Sequence, residues 1–204
     1  MPGNLLRVAL LSVCLAAPAV SAEAGVNGVI LDKSAPVGAF TLHDHRGAPF
    51  TEASLRERWT LVLIGYTSCP DVCPFTLANL QAVVEEAGLR LRPDDVPQVV
   101  LLAVDPERDA PVLADYVAHF GPRILGVTGA HAGIDALVAA IDGAYRFDRR
   151  RPGQADYEVK HSAAVALISP QGKVIAKISP PFPPAETATY LAETILRFKR
   201  SARQ

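Results

Sequence analysis

The stretch "TLVLIGYTSCPDVCPFTLANLQAVVEEAG", residues 60–88, passes from a continuous apolar run, through two cysteines, into a helical pattern. The run at 60–67 is what a strand covered on both faces requires. Leu77, Leu80, Val84 and Ala87 then recur at helical spacing, and Gly88 is a stop signal. Cys69 and Cys73 stand where the strand gives way to the helix. In open α/β sheets, binding and chemistry gather at the carboxyl ends of strands. One segment therefore points both to an α/β domain and to the place where its function sits.

Upstream, "AFTLHDHRGAPFT" (39–51) reads as an N-terminal hairpin around Gly47. Downstream, "VPQVVLLAVDP" (96–106) is a second buried strand ended by Asp105-Pro106. A helix is predicted from about Pro111, with Leu113, Tyr116, Val117 and Phe120 on one face. A further helix carries Ile134, Leu137, Val138 and Ile141. "SAAVALISPQGKVIAKIS" (162–179) is two strands joined at Pro-Gln-Gly. After the "SPPFPP" break, a last helix presents Leu191, Ile195 and Phe198. Strand, helix, strand, helix, helix, hairpin, helix is the order of an α/β thioredoxin-like fold: a central mixed β-sheet flanked by helices. No repeat or long linker divides residues 23–204, which read as a single thioredoxin-like domain.

The chain has 204 residues, with 20 Lys plus Arg against 21 Asp plus Glu, so a basic nucleic-acid-binding face is not expected. Residues 1–22 read as a signal peptide: one Arg, an apolar segment from Val8 to Val20, and small residues at Val20-Ser21-Ala22. An uncleaved anchor is the alternative, although a membrane span needs about 20 apolar residues. Lipoprotein cleavage at Cys14 is disfavoured by Val13 before it. Export to the periplasm, with attachment to the inner membrane left open, would place Cys69 and Cys73 in an oxidising compartment.

A purely structural disulfide between them would close a very small loop and add little stabilisation. Reversible chemistry suits the pair better. Near a helix N-terminus, free N–H groups and the dipole favour thiolate. Pro74 fits the first helical turn, and Asp71 could accept from the same N–H groups while its charge opposes thiolate formation. Two sulfurs so placed can close a disulfide or hold a metal, and a metal needs at least one more ligand, most naturally a histidine. Of the five histidines, His119 and His131 lie at helix ends and are expected to be solvated. His43 and His45 share a strand face but lack partners to complete a coordination set. His161 precedes the late hairpin, whose leading loop faces the cysteine turn in a thioredoxin-like order. Two thiolates and one imidazole suit a trigonal site for monovalent copper, whereas structural zinc takes four protein ligands.

Three blocks, "GYTSCPDVCPFTL" (65–77), "VDPERDAPVLADYVAHF" (104–120) and "YEVKHSAAVALISPQGKVI" (157–175), resemble the Sco/SenC family of copper-binding thioredoxin-like proteins. The resemblance implies that Cys69, Cys73 and His161 bind copper, as Cu(I) and also Cu(II). It implies a metallochaperone for the dinuclear copper centre of cytochrome c oxidase subunit II, acting by copper transfer, thiol reduction or both. Another periplasmic copper chaperone or thiol reductase is the further partner it implies. The alternatives are a metal-independent thiol-disulfide oxidoreductase using Cys69 and Cys73 as its redox-active, catalytic pair, and a copper or redox sensor. Thioredoxin-type reductases carry a cis-proline facing their cysteines; here Lys160-His161-Ser162 stands in that place. Lys160, where the family often has an acidic residue, would resist protonation of His161 or contact an acidic partner. Arg149, Arg150 and Arg151 form a basic cluster, read as a solvated loop or a docking patch. Asp105 is expected to cap the next helix and to stay outside the metal site.

Overall fold

The computed structural model describes residues 25–31, 36–148 and 156–202. The leader at 1–22, with Cys14, and the cluster Arg149–Arg151 lie outside the described residues.

The strands are β1 (Asn27–Ile30), β2 (Thr41–Asp44), β3 (Pro49–Thr51), β4 (Thr60–Gly65), β5 (Gln98–Ala103), β6 (Ile124–Thr128), β7 (Tyr145–Asp148), β8 (Glu158–His161), β9 (Val165–Ile168) and β10 (Val174–Ser179). The helices are α1 (Val72–Gly88), α2 (Pro106–Asp109), α3 (Leu113–Ala118), α4 (His131–Ala140) and α5 (Pro184–Ser201). Eight strands form one mixed sheet in the order β1-β10-β9-β4-β5-β6-β2-β3, and β7 with β8 form a separate ribbon. β4, β5 and β6 run parallel, with Leu61 beside Val99 and Leu63 beside Leu101. β9 is antiparallel to β4, and the β2–β3 hairpin closes the far edge. This is the thioredoxin-like α/β arrangement, hairpin included.

Alternation along the central strands divides the core. Leu61, Leu63, Val99 and Leu101 face one side, with Leu77, Leu80 and Val84 of α1 and Leu191 and Ile195 of α5. Val62, Ile64, Val100 and Leu102 face the other, with Ile134 and Leu137 of α4 and Phe40 and Phe50 near the hairpin. Both faces are covered, which is why β4 and β5 read as unbroken apolar runs. Leu101 has no exposure, on the central strand β5. Leu101→Ala should lower the unfolding free energy by about 2–5 kcal/mol in urea denaturation.

Three features depart from the sequence reading. β6 was not expected; it carries Gly126 inside "ILGVT". A Cβ there would lie 2.7 Å from Leu113 Cγ, so the glycine is what lets α3 sit on the sheet. The helix expected from about Pro111 is α3, and a separate short helix, α2, precedes it from Pro106. The β7–β8 ribbon was also not expected, and His161 ends β8 rather than lying in a loop before β9.

Candidate metal and thiol centre

β4 ends at Gly65, the chain turns through 66–71, and α1 begins at Val72. Cys69 is therefore in the turn and Cys73 is the second helical residue, so the two do not share one helical face. Both are free thiols, Cys73 buried and Cys69 half-buried. Asp71 occupies the cap position of α1, but its side chain makes no capping hydrogen bond. Cys69 takes that role: its sulfur accepts the Cys73 N–H at 3.4 Å. The helix terminus thus aims its free N–H groups at a sulfur rather than a carboxylate.

Gly65 makes room for this turn. A Cβ at that position would stand 3.3 Å from Cys73 Sγ and 2.8 Å from Leu101 Cδ1.

The two thiols are unequal. Partial burial pushes the Cys69 thiol up, but N–H groups of Cys73 and Asp71, with the Cys73 thiol and the Tyr66 hydroxyl, outweigh it, so its pKa lies below the ordinary thiol value. Burial pushes Cys73 up to about 12; a backbone contact from Tyr66 opposes that, and Cys69 and Asp109 add to it. Iodoacetamide at neutral pH should therefore modify Cys69 first, with Cys73 reacting only slowly. Peptide mapping of the reduced protein after brief treatment checks this, and equal labelling would contradict the assignment.

His161 Nε2 lies 3.7 Å from Cys73 Sγ, although the residues are 88 apart in sequence. Its Nδ1 is 3.0 Å from the Ser162 carbonyl oxygen. A carbonyl oxygen only accepts, so Nδ1 carries the proton and Nε2 offers its lone pair toward the sulfur. Metal-bound histidines are commonly oriented in this way, by a hydrogen bond from the other ring nitrogen. The Tyr66 ring meets the imidazole edge-on, with centroids 6.1 Å apart. Among the described residues, no three His, Cys, Asp or Glu side chains already meet closely enough to hold a metal ion. Cys73 links the trio instead, its N–H to Cys69 Sγ and its Sγ to His161 Nε2, and the soft–soft–imidazole chemistry of the three fits copper.

The other histidines lie elsewhere. His43 is exposed. His45 Nδ1 accepts the Gly126 N–H at 3.2 Å, so it supports the edge of the sheet. His119 contacts the Asp115 carbonyl, and His131 lies near Glu107 and Tyr145. Lys160 pairs with Asp148 across the ribbon at 2.9 Å.

Asp105 does stand at the cap position of α2, but its side chain does not cap. It is fully buried; the Arg108 guanidinium and the Tyr157 hydroxyl donate to its carboxylate. The group that holds the loop is Asp109, also fully buried, which accepts from Thr67 N–H and Thr67 Oγ1, both at 2.7 Å, and from Asp105 N–H at 3.0 Å. Burial drives the Asp109 carboxyl above its ordinary pKa, while the Thr67 hydrogen bonds and the Asp105 N–H pull it back. Sequence reasoning missed Asp109, Arg108, Tyr157, Tyr66 and Ser162. The i, i+4 spacing of Asp105 and Asp109 after a buried strand was the one visible signal.

A family model described as SCO1/SenC matches residues 30–196. The chain belongs to the SCO1/SenC family. It is 41% identical over 142 residues to the mouse mitochondrial Protein SCO2 homolog, covering 66% of this chain and 52% of that one. It spans about half the length of the mammalian SCO2 relatives it matches. Arabidopsis thaliana ScoI with copper bound superposes with a TM-score of 0.72 at 27% identity, covering 80% of this chain and 99% of that one. Yeast Sco1 with copper bound gives 0.73 at 27% identity, covering 83% and 95%. Among the described residues of this SCO1/SenC chain, no helix is long and apolar enough to cross a membrane.

Proposed function

We propose that the chain carries one copper ion as cargo on Cys69, Cys73 and His161 and delivers it during assembly of the dinuclear copper centre of cytochrome c oxidase subunit II. The observation that carries this reading is the imidazole of His161, its Nε2 lone pair turned to Cys73 Sγ by the Nδ1–Ser162 hydrogen bond. Copper in the structures of the Arabidopsis and yeast relatives supports it. Cu(I) is the favoured state because thiolates are soft ligands, with Cu(II) as a second state. Val72 and Phe75, 57% and 69% exposed in the first turn of α1, give the site an apolar rim against which a client can dock. The reading places the protein in the periplasm, either released from its leader or held at the inner membrane by it. A second periplasmic copper chaperone or thiol reductase supplies copper or electrons.

A second reading rests on the unequal thiols. The Cys69 thiolate attacks a client disulfide, forms a mixed disulfide and expels one client thiolate. Cys73 then loses its proton and attacks Cys69 sulfur, releasing the client dithiol and leaving the Cys69–Cys73 disulfide.

Copper titration of the reduced protein, followed by elemental analysis, tests the first reading; one copper per chain is expected. Because Cys73 holds its proton up to about pH 12 in the copper-free protein, binding must displace that proton. Copper affinity should therefore fall at least about tenfold for each unit that pH drops through the neutral range. A pH-independent affinity would exclude Cys73 as a ligand.

A further inference from the structure

The short helix α2 touches both halves of the centre without contributing a ligand. On one side, Asp109 receives Thr67 N–H and Oγ1, two residues before Cys69. On the other, Arg108 Nη1 donates to the Tyr157 carbonyl at 3.1 Å, immediately before the strand that ends in His161. The guanidinium lies 3.7 Å from the centroid of the Tyr157 ring and 5.8 Å from that of Tyr66. Its Nε donates to the buried Asp105 carboxylate, which also accepts the Tyr157 hydroxyl at 2.9 and 3.1 Å. Arg108 is thus held by Asp105 and stacked on Tyr157, with the Tyr66 ring of the cysteine turn 5.8 Å away.

We propose that Arg108 is a positioning residue that sets the approach of His161 to Cys73, and through it the copper affinity. Three groups of Arg108 are used at once: Nε on Asp105, Nη1 on the Tyr157 backbone, and the planar face on Tyr157. Only a rigid, planar fork can do this. Among the described residues, β7 and β8 form a two-stranded ribbon separate from the eight-stranded sheet. Two links tie β8 to the cysteine turn: a backbone hydrogen bond between Val159 and the Tyr66 hydroxyl, and the Arg108–Tyr157 link, which is the one that a substitution in α2 removes. Asp109 holds Thr67 through its own carboxylate, so loss of Arg108 keeps that anchor of the cysteine turn. The effect falls on the imidazole arm and not on the dithiol.

This inference rests on the copper-carrying role only for its affinity readout; its geometry is tested without metal. In the reduced, copper-free protein, nuclear Overhauser contacts from the His161 ring to the Cys73 β-protons and the Tyr66 ring should be present in the wild type. Arg108→Gln should lose them, while contacts between Thr67 and the α2 backbone persist. Tyr157→Phe, which keeps the ring and removes only the hydroxyl bonds to Asp105, should weaken them and carries the test if Arg108→Gln does not fold. Copper affinity, measured by competition with a chromophoric chelator, should fall about tenfold to a hundredfold in Arg108→Gln, as for loss of other groups that orient a metal ligand. The dithiol reduction potential against glutathione should stay at the wild-type value. In a His161→Ala background, Arg108→Gln should produce no further loss of affinity. Retained His161–Cys73 contacts, an additive loss in that background, or a shifted dithiol potential would overturn the assignment. A wild type that takes up no copper, combined with loss of the contacts in Arg108→Gln, would sink the cargo role and leave the positioning role standing.

Discussion

His161→Ala should lower copper affinity at least about a hundredfold and leave the dithiol able to cycle. Removing a group that merely orients a ligand typically costs about 10–100-fold, so removing the ligand itself sets that as a lower bound. The imidazole faces Cys73 sulfur at 3.7 Å, yet no step of thiol-disulfide exchange requires it. Cys69→Ser and Cys73→Ser should each abolish copper binding and cycling together. Assembly of cytochrome c oxidase in cells under limiting copper then separates the two readings. If delivery is the activity, His161→Ala fails with the cysteine variants and extra copper partly restores it. If His161→Ala supports assembly like the wild type while both cysteine variants fail, copper carriage is not the working activity and the dithiol reading replaces it.

The second large effect is oxidation. The Cys69–Cys73 disulfide form should bind copper at least about a hundredfold more weakly than the reduced form, because two of the three donors are lost at once. Metal content of matched oxidised and reduced samples, dialysed together against the same copper buffer, checks this. Equal uptake would mean that the ligands have been misassigned. Cys69 in the turn and Cys73 in the first turn of α1 both stand as free thiols, so both states can be prepared from one sample.

Periodic patterns are local, and they carried far in this chain. The runs of β4 and β5, the helical spacing of α1, α4 and α5, and the Gly47 hairpin are each visible within a dozen or so residues. They are enough to establish the α/β class and to put Cys69 and Cys73 at the end of a central strand. The three proposed ligands were named from the sequence as well, the cysteines by their place at a helix start, His161 by its place before the late hairpin, and the set by the resemblance to the family.

What the sequence could not determine is what depends on contacts between distant segments. β1 is a short, exposed edge strand whose status comes only from pairing with β10. β6 reads poorly because its Gly126 is reserved for Leu113 of α3. The β7–β8 ribbon joins segments on either side of residues 149–155, and only its pairing places Tyr145 opposite His161. The local rule that an Asp after a strand caps the next helix assigned Asp105 wrongly. Tyr157, 49 residues from Arg108 and 52 from Asp105, claimed the Arg108 guanidinium and the Asp105 carboxylate instead, and at α1 Cys69 rather than Asp71 receives the helix N–H. Residue types and the resemblance to the family thus proposed which atoms could hold copper. The fold alone decided that Nε2 of His161 faces Cys73 and that one thiol is easy to ionise and the other is not, because burial and hydrogen bonding between remote segments set those properties.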